Sequence, residues 1–131
     1  NSMRKKVVYI IIDGMADQKE KIFTKSIGGT MRLGAYRCRI APKTIAARAY
    51  GAKEVRERHR HRYELNNEFK KQLEDAGMII SGVNPESGLA EIMELKGHPF
   101  FLGTQFHPEF TSRPLSPQPL FREFIRAATK G

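Results

Sequence analysis

Residues 57–64 read ERHRHRYE, a stretch in which three arginines and two histidines alternate strictly. Such alternation predicts a β-strand, because successive side chains of a strand point to opposite faces of the sheet. The guanidinium groups then share one face of the strand, namely Arg58, Arg60 and Arg62. The opposite face carries His59, His61 and Tyr63. The stretch therefore predicts a strand with one strongly basic face.

The segments on either side of this strand are predicted to be helical. Residues 44–51, TIAARAYG, have the apolar spacing of a short helix, with Thr44 as its N-cap and Gly51 as its end. Residues 67–77, NEFKKQLEDAG, have the pattern of a second helix, which Asn66 can cap.

Other strands are predicted from short apolar runs bounded by turn residues. These runs are residues 6–13 (KVVYIIID), 78–83 (MIISGV), 88–95 (GLAEIMEL) and 99–106 (PFFLGTQF), together with the second part of 28–40. The last of them is expected to be a largely buried final strand. A closing helix is predicted over residues 119–131, after a connection rich in proline. Strands and helices mixed in this order predict an α/β fold.

The composition is that of one small globular domain with a basic surface. The chain has 131 residues, of which 40% are hydrophobic and 28% charged, and its formal net charge is +9. This charge favours an anionic partner such as a nucleotide, a nucleic acid or an acidic domain surface. Nucleic acid is the least favoured of these, since no aromatic-rich basic stripe or helix-turn-helix spacing occurs.

The chain is expected to be cytoplasmic and to have no membrane span. Its longest apolar run, residues 7–12, is far shorter than the ~20 residues that a membrane-spanning helix needs. Cys38 is the single cysteine, so the chain has no disulfide framework of its own. Asn1 and Ser2, which precede Met3, are expected to be the remnant of a tag.

Three arginines on one strand face repel one another unless anions or carboxylates neutralise them. Guanidinium groups bind carboxylate and phosphate in planar, bidentate geometry, so one interpretation is a site for an anionic ligand. The alternative, equally open on residue types alone, is a face neutralised by Glu57, Glu64 and their neighbours. His59 and His61 could ligate a metal, but no third ligand lies at a recognisable spacing.

A second group of polar residues, TQFHPEF, occupies residues 104–110 and follows an apolar strand. Strand ends are where α/β proteins commonly place their sites. Pro108 favours an extended conformation of His107, and Glu109 can then reach the imidazole. A carboxylate that orients an imidazole forms the base half of a catalytic triad. The alternative is a loop histidine beside an incidental acid.

A triad also needs a nucleophile, and Cys38 is the only thiol in the sequence. A nucleophilic cysteine of an α/β hydrolytic site lies on a tight elbow among small residues, whereas residues 35–42, AYRCRIAP, contain no glycine. Arg37 and Arg39 could lower the pKa of the thiol, but they point away from it if the segment is a strand. Cys38 is therefore predicted to be structural.

Together these motifs resemble one family, the C-terminal glutamine amidotransferase domain of CTP synthase. The matching blocks are residues 28–36 (GGTMRLGAY), 57–67 (ERHRHRYELNN), 98–110 (HPFFLGTQFHPEF), 112–114 (SRP) and 119–121 (PLF), with a weaker match at 15–18 (MADQ). The resemblance covers residues 15–131. Residues 1–14 stand outside it, as a tag remnant and an atypical leading strand whose Asp-Gly ending faintly resembles the first strand of phosphomutases.

The resemblance implies a flavodoxin-like, three-layer α/β fold with a mixed sheet and flanking helices. It also implies an enzyme that aminates UTP to CTP with ATP, using ammonia that this domain releases from glutamine. His107 matches the catalytic histidine, Glu109 the triad glutamate, and Arg62 the arginine that holds the glutamine α-carboxylate. GTP activates the family. The candidate contacts to this effector or to a neighbouring domain are Arg32, Arg58 and Arg60.

Some parts of the family pattern do not occur in the sequence. These are the Gly-x-Cys-x-Gly elbow with the nucleophile, the glycine-rich oxyanion loop, and the synthetase domain with its ATP and magnesium sites. The chain is therefore expected to hold no cofactor itself, to be inactive alone, and to need the synthetase domain and the nucleophile-bearing half as partners. The alternative is a non-catalytic module that binds a nucleotide or another anion. Uncovered sheet edges would also favour self-association.

Overall fold

The structure, a computed structural model, describes residues 32–61 and 63–130. Its strands are β1 (Arg32–Ile40), β2 (Glu54–His61), β3 (Met78–Val83), β4 (Ala90–Leu95) and β5 (Leu102–Thr104). Its helices are α1 (Ile45–Tyr50), α2 (Lys70–Asp75) and α3 (Pro119–Thr129), with 3-10 turns at Asn67–Phe69 and Pro108–Phe110. None of the helices in this described part has the length and apolar character needed to cross a bilayer. The strand predicted in residues 6–13 lies outside the described residues.

The strands form one sheet in the order β2-β1-β3-β4-β5. β1 pairs with β2 along its length, from Arg32 opposite His61 to Arg39 opposite Glu54. Every pairing among these five strands is antiparallel. α1 lies in the connection between β1 and β2, and α2 precedes β3. Strands and helices thus mix along the chain as predicted.

A hydrophobic core joins the sheet to α1 and α3. Its buried members are Cys38, Ile40, Ala46, Ala49, Ile92, Phe106 and Leu120. A smaller cluster of Leu65, Leu73 and Ala90 packs α2 against the sheet. Full burial of a side chain such as Ile92 or Leu73 contributes ~1.5–3 kcal/mol of stability relative to leaving it exposed.

Close packing in this core requires a glycine in β3. A Cβ atom at Gly82 would lie 2.6 Å from Ile92 Cγ1 and 2.7 Å from Cys38 Sγ, distances at which the atoms would overlap. The register of β3 against β4 also shifts on both sides of Gly82, as it does at a β-bulge. The missing side chain therefore provides the space in which Cys38 is buried.

Both predicted ends of α1 are confirmed. The Thr44 hydroxyl accepts a hydrogen bond from the Ala47 N–H at 3.0 Å, and Gly51 is left-handed with a φ of 62°. An additional cap comes from β4, because the buried Glu94 carboxylate accepts the N–H groups of Ile45 and Ala46 at 2.8 and 2.9 Å. A carboxylate at this end also complements the helix dipole.

Two predicted elements are shorter than expected. The helix predicted over residues 67–77 begins as a 3-10 turn capped by Asn66 and becomes α-helical only in α2. The prediction of a largely buried strand over residues 99–106 is wrong, since β5 holds three residues and Phe101 is 51% exposed. β5 ends the sheet and pairs with β4 alone among the described strands, so less of it is covered.

Candidate active site

The alternation predicted for β2 is confirmed by the burial of its side chains. Glu57 and His59 are buried, at 4% and 2% exposure, and point to the interior. The exposed side chains, which form the basic outer face, are Arg56, Arg58 and Arg60. Arg62, the predicted ligand of the substrate carboxylate, lies outside the described residues.

A hollow of about 480 Å³ opens beside the basic outer face. It is lined by Leu33, Gly34, Arg58, His59, Arg60 and Phe110. Within the described residues neither Arg58 nor Arg60 has a carboxylate partner, because Glu57 and Glu64 bond to other side chains. Among the described residues, the alternative of a face neutralised by Glu57 and Glu64 is therefore not found.

His107 and Glu109 form the pair that the sequence predicts. His107 is extended, with φ of −107° and ψ of 93°, as expected for a residue before proline. Pro108 begins the turn Pro108–Phe110, which brings Glu109 Oε1 to 2.7 Å from His107 Nδ1. A carboxylate at Nδ1 favours the tautomer with its proton there, so that Nε2 is left to accept a proton.

The surroundings of this pair suit a base and its orienting acid. The hydrogen bond with His107, followed by a backbone N–H, holds the pKa of Glu109 below its ordinary value, so the carboxylate is ionised at neutral pH. The side chains of His107 and Glu109 are 37% and 55% exposed, so a substrate can reach them.

The pair adjoins the basic outer face directly. The His107 N–H donates to the Arg58 carbonyl at 3.0 Å, which ties the start of the turn to β2. Phe110 stacks on the His107 ring, with centroids 4.9 Å apart and planes inclined by 15°, and it also lines the hollow. Two guanidinium groups and the predicted base thus border one surface region.

The inner face of β2 belongs to a buried charged cluster, formed by Arg32, His59, His61, Glu64 and Glu91. Arg32 Nη1 donates to Glu64 Oε1 at 2.9 Å and to Glu91 Oε1 at 2.8 Å. Its guanidinium carbon also lies 4.5 Å from the centre of the Tyr36 ring. Arg32 is thus engaged inside the protein, apart from Arg58 and Arg60, and its predicted effector contact stays a prediction.

The two histidines of β2 complete the charged cluster. His59 Nδ1 lies 2.7 Å from His61 Nε2, and His59 Nε2 lies 2.9 Å from Glu91 Oε2. Burial, and then the nearby His59 and Arg32, lower the pKa of His61 to about 4, so its ring is neutral at neutral pH. In the part of the chain that the structure describes, no three metal-ligating side chains converge.

Cys38 does not have the surroundings of a nucleophile. It is fully buried, and burial, followed by the Glu91 and Glu57 carboxylates, raises the pKa of its thiol to about 12. The reactive thiolate is therefore suppressed at neutral pH. Arg37 points outward and binds Glu54 and Glu86 instead. This agrees with the structural role predicted for Cys38.

Sequence reasoning missed the distant partners of β2. Glu91 of β4 places its Oε2 2.9 Å from His59 Nε2, and Gln118 reaches Glu57 from 61 residues away. One signal was present, because AEIMEL places two glutamates, Glu91 and Glu94, in an otherwise apolar strand. Buried carboxylates require partners, so such a strand predicts cations or N–H groups on its neighbours.

The chain matches the family model of class-I glutamine amidotransferases over residues 6–127. It is 60% identical over 117 residues to the CTP synthase of Rubrobacter xylanophilus and 58% identical over 120 residues to that of Methanothermobacter thermautotrophicus. These matches cover 89% and 92% of this chain but 20% and 22% of the relatives. The chain thus spans about a fifth of the length of these curated relatives.

Two solved structures resemble the fold of this chain. The glutaminase domain of Trypanosoma brucei CTPS with bound acivicin matches with a TM-score of 0.75 and 40% identity, over 81% of this chain and 42% of that chain. A putative GMP synthase subunit of Thermoplasma acidophilum shares the fold, with a TM-score of 0.57 and 17% identity over 79% of this chain and 47% of that one. The predicted α/β fold of the class I glutamine amidotransferases and the resemblance to the CTP synthase glutaminase domain are confirmed. The mixed character of the sheet stays a prediction, since the described strands pair only in the antiparallel sense. The chain belongs to the class I glutamine amidotransferase family.

Proposed function

We propose that this chain forms part of the glutaminase site of a CTP synthase, which converts UTP to CTP with ATP and ammonia taken from glutamine. The observation that carries the proposal is the 2.7 Å contact between His107 Nδ1 and Glu109 Oε1, beside the basic outer face. Identities of 60% and 58% to two CTP synthases favour this enzyme over other amidotransferases.

In this role His107 is the general base and Glu109 orients it. His107 Nε2 accepts the proton of a cysteine thiol, and the sulfur attacks the side-chain amide carbon of glutamine. The amide nitrogen takes that proton and leaves as ammonia, and a thioester remains. His107 then removes a proton from the water that attacks the thioester. The carbon–sulfur bond breaks, glutamate leaves, and the cysteine sulfur takes the proton back from His107. Glu109 stabilises the imidazolium that forms at each proton transfer.

The attacking thiol is proposed to come from outside these 131 residues, because Cys38, the single cysteine, is buried and its thiol has a pKa of about 12. The chain alone is therefore expected not to hydrolyse glutamine. Release of glutamate by the isolated chain, abolished by Cys38→Ala, would contradict this expectation.

Arginines are proposed to bind the anionic groups at this site. Arg62, which follows the last residue of β2, is proposed to hold the glutamine α-carboxylate. Arg58 and Arg60 border the hollow and are proposed to contact GTP or a neighbouring domain. The same role for Arg32 would require its ion pairs with Glu64 and Glu91 to open.

A segment exchange tests the proposed function. In the Rubrobacter xylanophilus CTP synthase, the 117 residues that match this chain are replaced by the corresponding residues of this chain. CTP formation is then measured with glutamine and, separately, with ammonia. We expect the chimera to use both nitrogen sources. A chimera that uses ammonia but not glutamine would contradict the proposal.

A second candidate function is a non-catalytic module for a nucleotide or another anion, which the exposed Arg58 and Arg60 favour. It predicts that the isolated chain binds GTP or glutamate saturably and that the His107→Ala substitution leaves this binding intact.

Self-association is a further proposal, supported by the exposed apolar side chains of Phe101, Phe124 and Ile125. Sedimentation of the chain as a monomer would contradict it.

A further inference from the structure

Glu57, the first residue of ERHRHRYE, is a buried carboxylate that the proposed chemistry does not use. Its Oε2 accepts hydrogen bonds from the Tyr50 hydroxyl at 2.8 Å and from Gln118 Nε2. Its Oε1 accepts a hydrogen bond from the Thr111 hydroxyl at 3.2 Å. Each of these donors is uncharged, so the fold places a buried carboxyl group among neutral hydrogen-bond donors.

These four residues, the Glu57 cluster, join segments that are far apart in the sequence. Tyr50 ends α1, Glu57 lies in β2, and Gln118 is the N-cap of α3. Gln118 Nε2 also donates to the Tyr50 hydroxyl at 2.7 Å, which connects the cluster internally. Burial, and then the charge of Glu57, raise the pKa of Tyr50, so its hydroxyl keeps the proton that it donates.

Thr111 is the member of the cluster that touches the predicted catalytic turn. It follows Phe110 directly and closes the turn Pro108–Phe110, which carries Glu109. Its single hydroxyl proton has two acceptors, Glu57 Oε1 and the Pro108 carbonyl, each at 3.2 Å. The bond to Glu57 is the one that joins the turn to β2, because Pro108 belongs to the turn itself.

Two consecutive residues of β2 therefore hold both ends of this turn. The Arg58 carbonyl accepts the His107 N–H at 3.0 Å, and the Glu57 carboxylate accepts the Thr111 hydroxyl. Glu109 itself is 55% exposed, so packing does little to fix its side chain. The path of the backbone between His107 and Thr111 decides whether its carboxylate reaches the imidazole.

We propose that Glu57 is a positioning residue for the His107–Glu109 pair and acts through the hydroxyl of Thr111. This inference rests on the proposed function, which gives the pair its chemical role, but it concerns the geometry of the pair and not turnover. With the turn held at both ends, Glu109 keeps the proton of neutral His107 on Nδ1. When the second end is released, the tautomer with the proton on Nε2 gains population.

Thr111→Val and Thr111→Ser form a matched pair of variants for the test. Thr111→Val removes the hydroxyl at nearly constant volume and on an exposed residue, so the fold is retained. Thr111→Ser keeps the hydroxyl and removes a methyl group. The readout is the ratio of the two His107 tautomers, from ¹⁵N NMR of the isolated chain, with the His107 signals assigned by their loss in His107→Gln.

We expect the tautomer ratio to move toward the Nε2-protonated form by roughly fivefold in Thr111→Val, the factor that corresponds to the loss of one typical hydrogen bond. Thr111→Ser should keep the original ratio. An unchanged ratio in Thr111→Val would overturn the inference, as would an equal change in both variants. The measurement involves no glutamine, so its failure is separate from a failure of the segment exchange.

Discussion

The two faces of β2 are both built from a few polar residue types, yet one face is buried inside the protein and the other is exposed to solvent. On the inner face, Glu57 and His59 are buried and have partners from distant segments. On the outer face, Arg58 and Arg60 have no carboxylate partner among the described residues and border an open hollow. A buried charge must be compensated within the fold, whereas an uncompensated surface arginine can still bind an anion. The polar side chains of the inner face are therefore engaged inside the protein, and the outer face is available for a ligand.

The largest effect on stability is expected from Arg32→Met. The substitution leaves Glu64 and Glu91 buried without their shared cation, and such a loss costs about 3–5 kcal/mol of unfolding free energy. Urea denaturation followed by circular dichroism measures it.

Arg60→Met is the matched control for this prediction, because Arg60 is exposed on the opposite face of the same sheet. It is expected to change the unfolding free energy by less than ~0.5 kcal/mol. Equal destabilisation by the two variants would show that the two faces do not differ as described.

A smaller change in the unfolding free energy is expected from the protonation of His61. The pKa of His61 is about 4 in the fold against 6.5 for an ordinary histidine, so the unfolded chain takes up the proton first as the pH falls. Stability is therefore complete above pH 6.5 and is lost as the pH falls toward 4, by ~1–3 kcal/mol in total.

His61→Gln isolates this contribution when unfolding free energies are compared across the same pH interval. The comparison is needed because burial raises the pKa of Glu64, which works in the opposite direction as the pH falls. If the wild type and His61→Gln lost the same free energy over this interval, the pH dependence would not come from His61.

The smallest effect on stability is expected on the outer face. Arg58→Gln and Arg60→Gln should each leave the unfolding free energy within ~0.5 kcal/mol of the wild type.

The same two substitutions should each weaken GTP binding by roughly fivefold, as calorimetry at low salt would measure, because a charge-assisted contact is lost. Arg56→Gln is the control, since Arg56 is exposed on the same face but does not line the hollow. Equal weakening by Arg56→Gln would indicate general attraction of anions rather than a site.

Much of this contrast could be predicted from local sequence. The alternation of residue types predicted which side chains of β2 lie on each face, and Pro108 predicted the extended conformation of His107. Both features depend on backbone geometry within a few residues. The partners of the inner face could not be predicted, since Glu91 reaches His59 through the register of the strands and Gln118 reaches Glu57 through helix packing. The length of β5 was missed for the same reason, because its pairing depends on the position of β4.

The central claim is that His107 is the base of a glutamine-hydrolysing site. The direct measurement is the ratio of glutamine-dependent to ammonia-dependent CTP formation in the segment-exchange chimera, with and without His107→Ala. We predict that His107→Ala lowers the glutamine-dependent rate by ~10²–10⁴-fold and leaves the ammonia-dependent rate unchanged. A variant that keeps its glutamine-dependent rate, or that loses both rates equally, would contradict the claim.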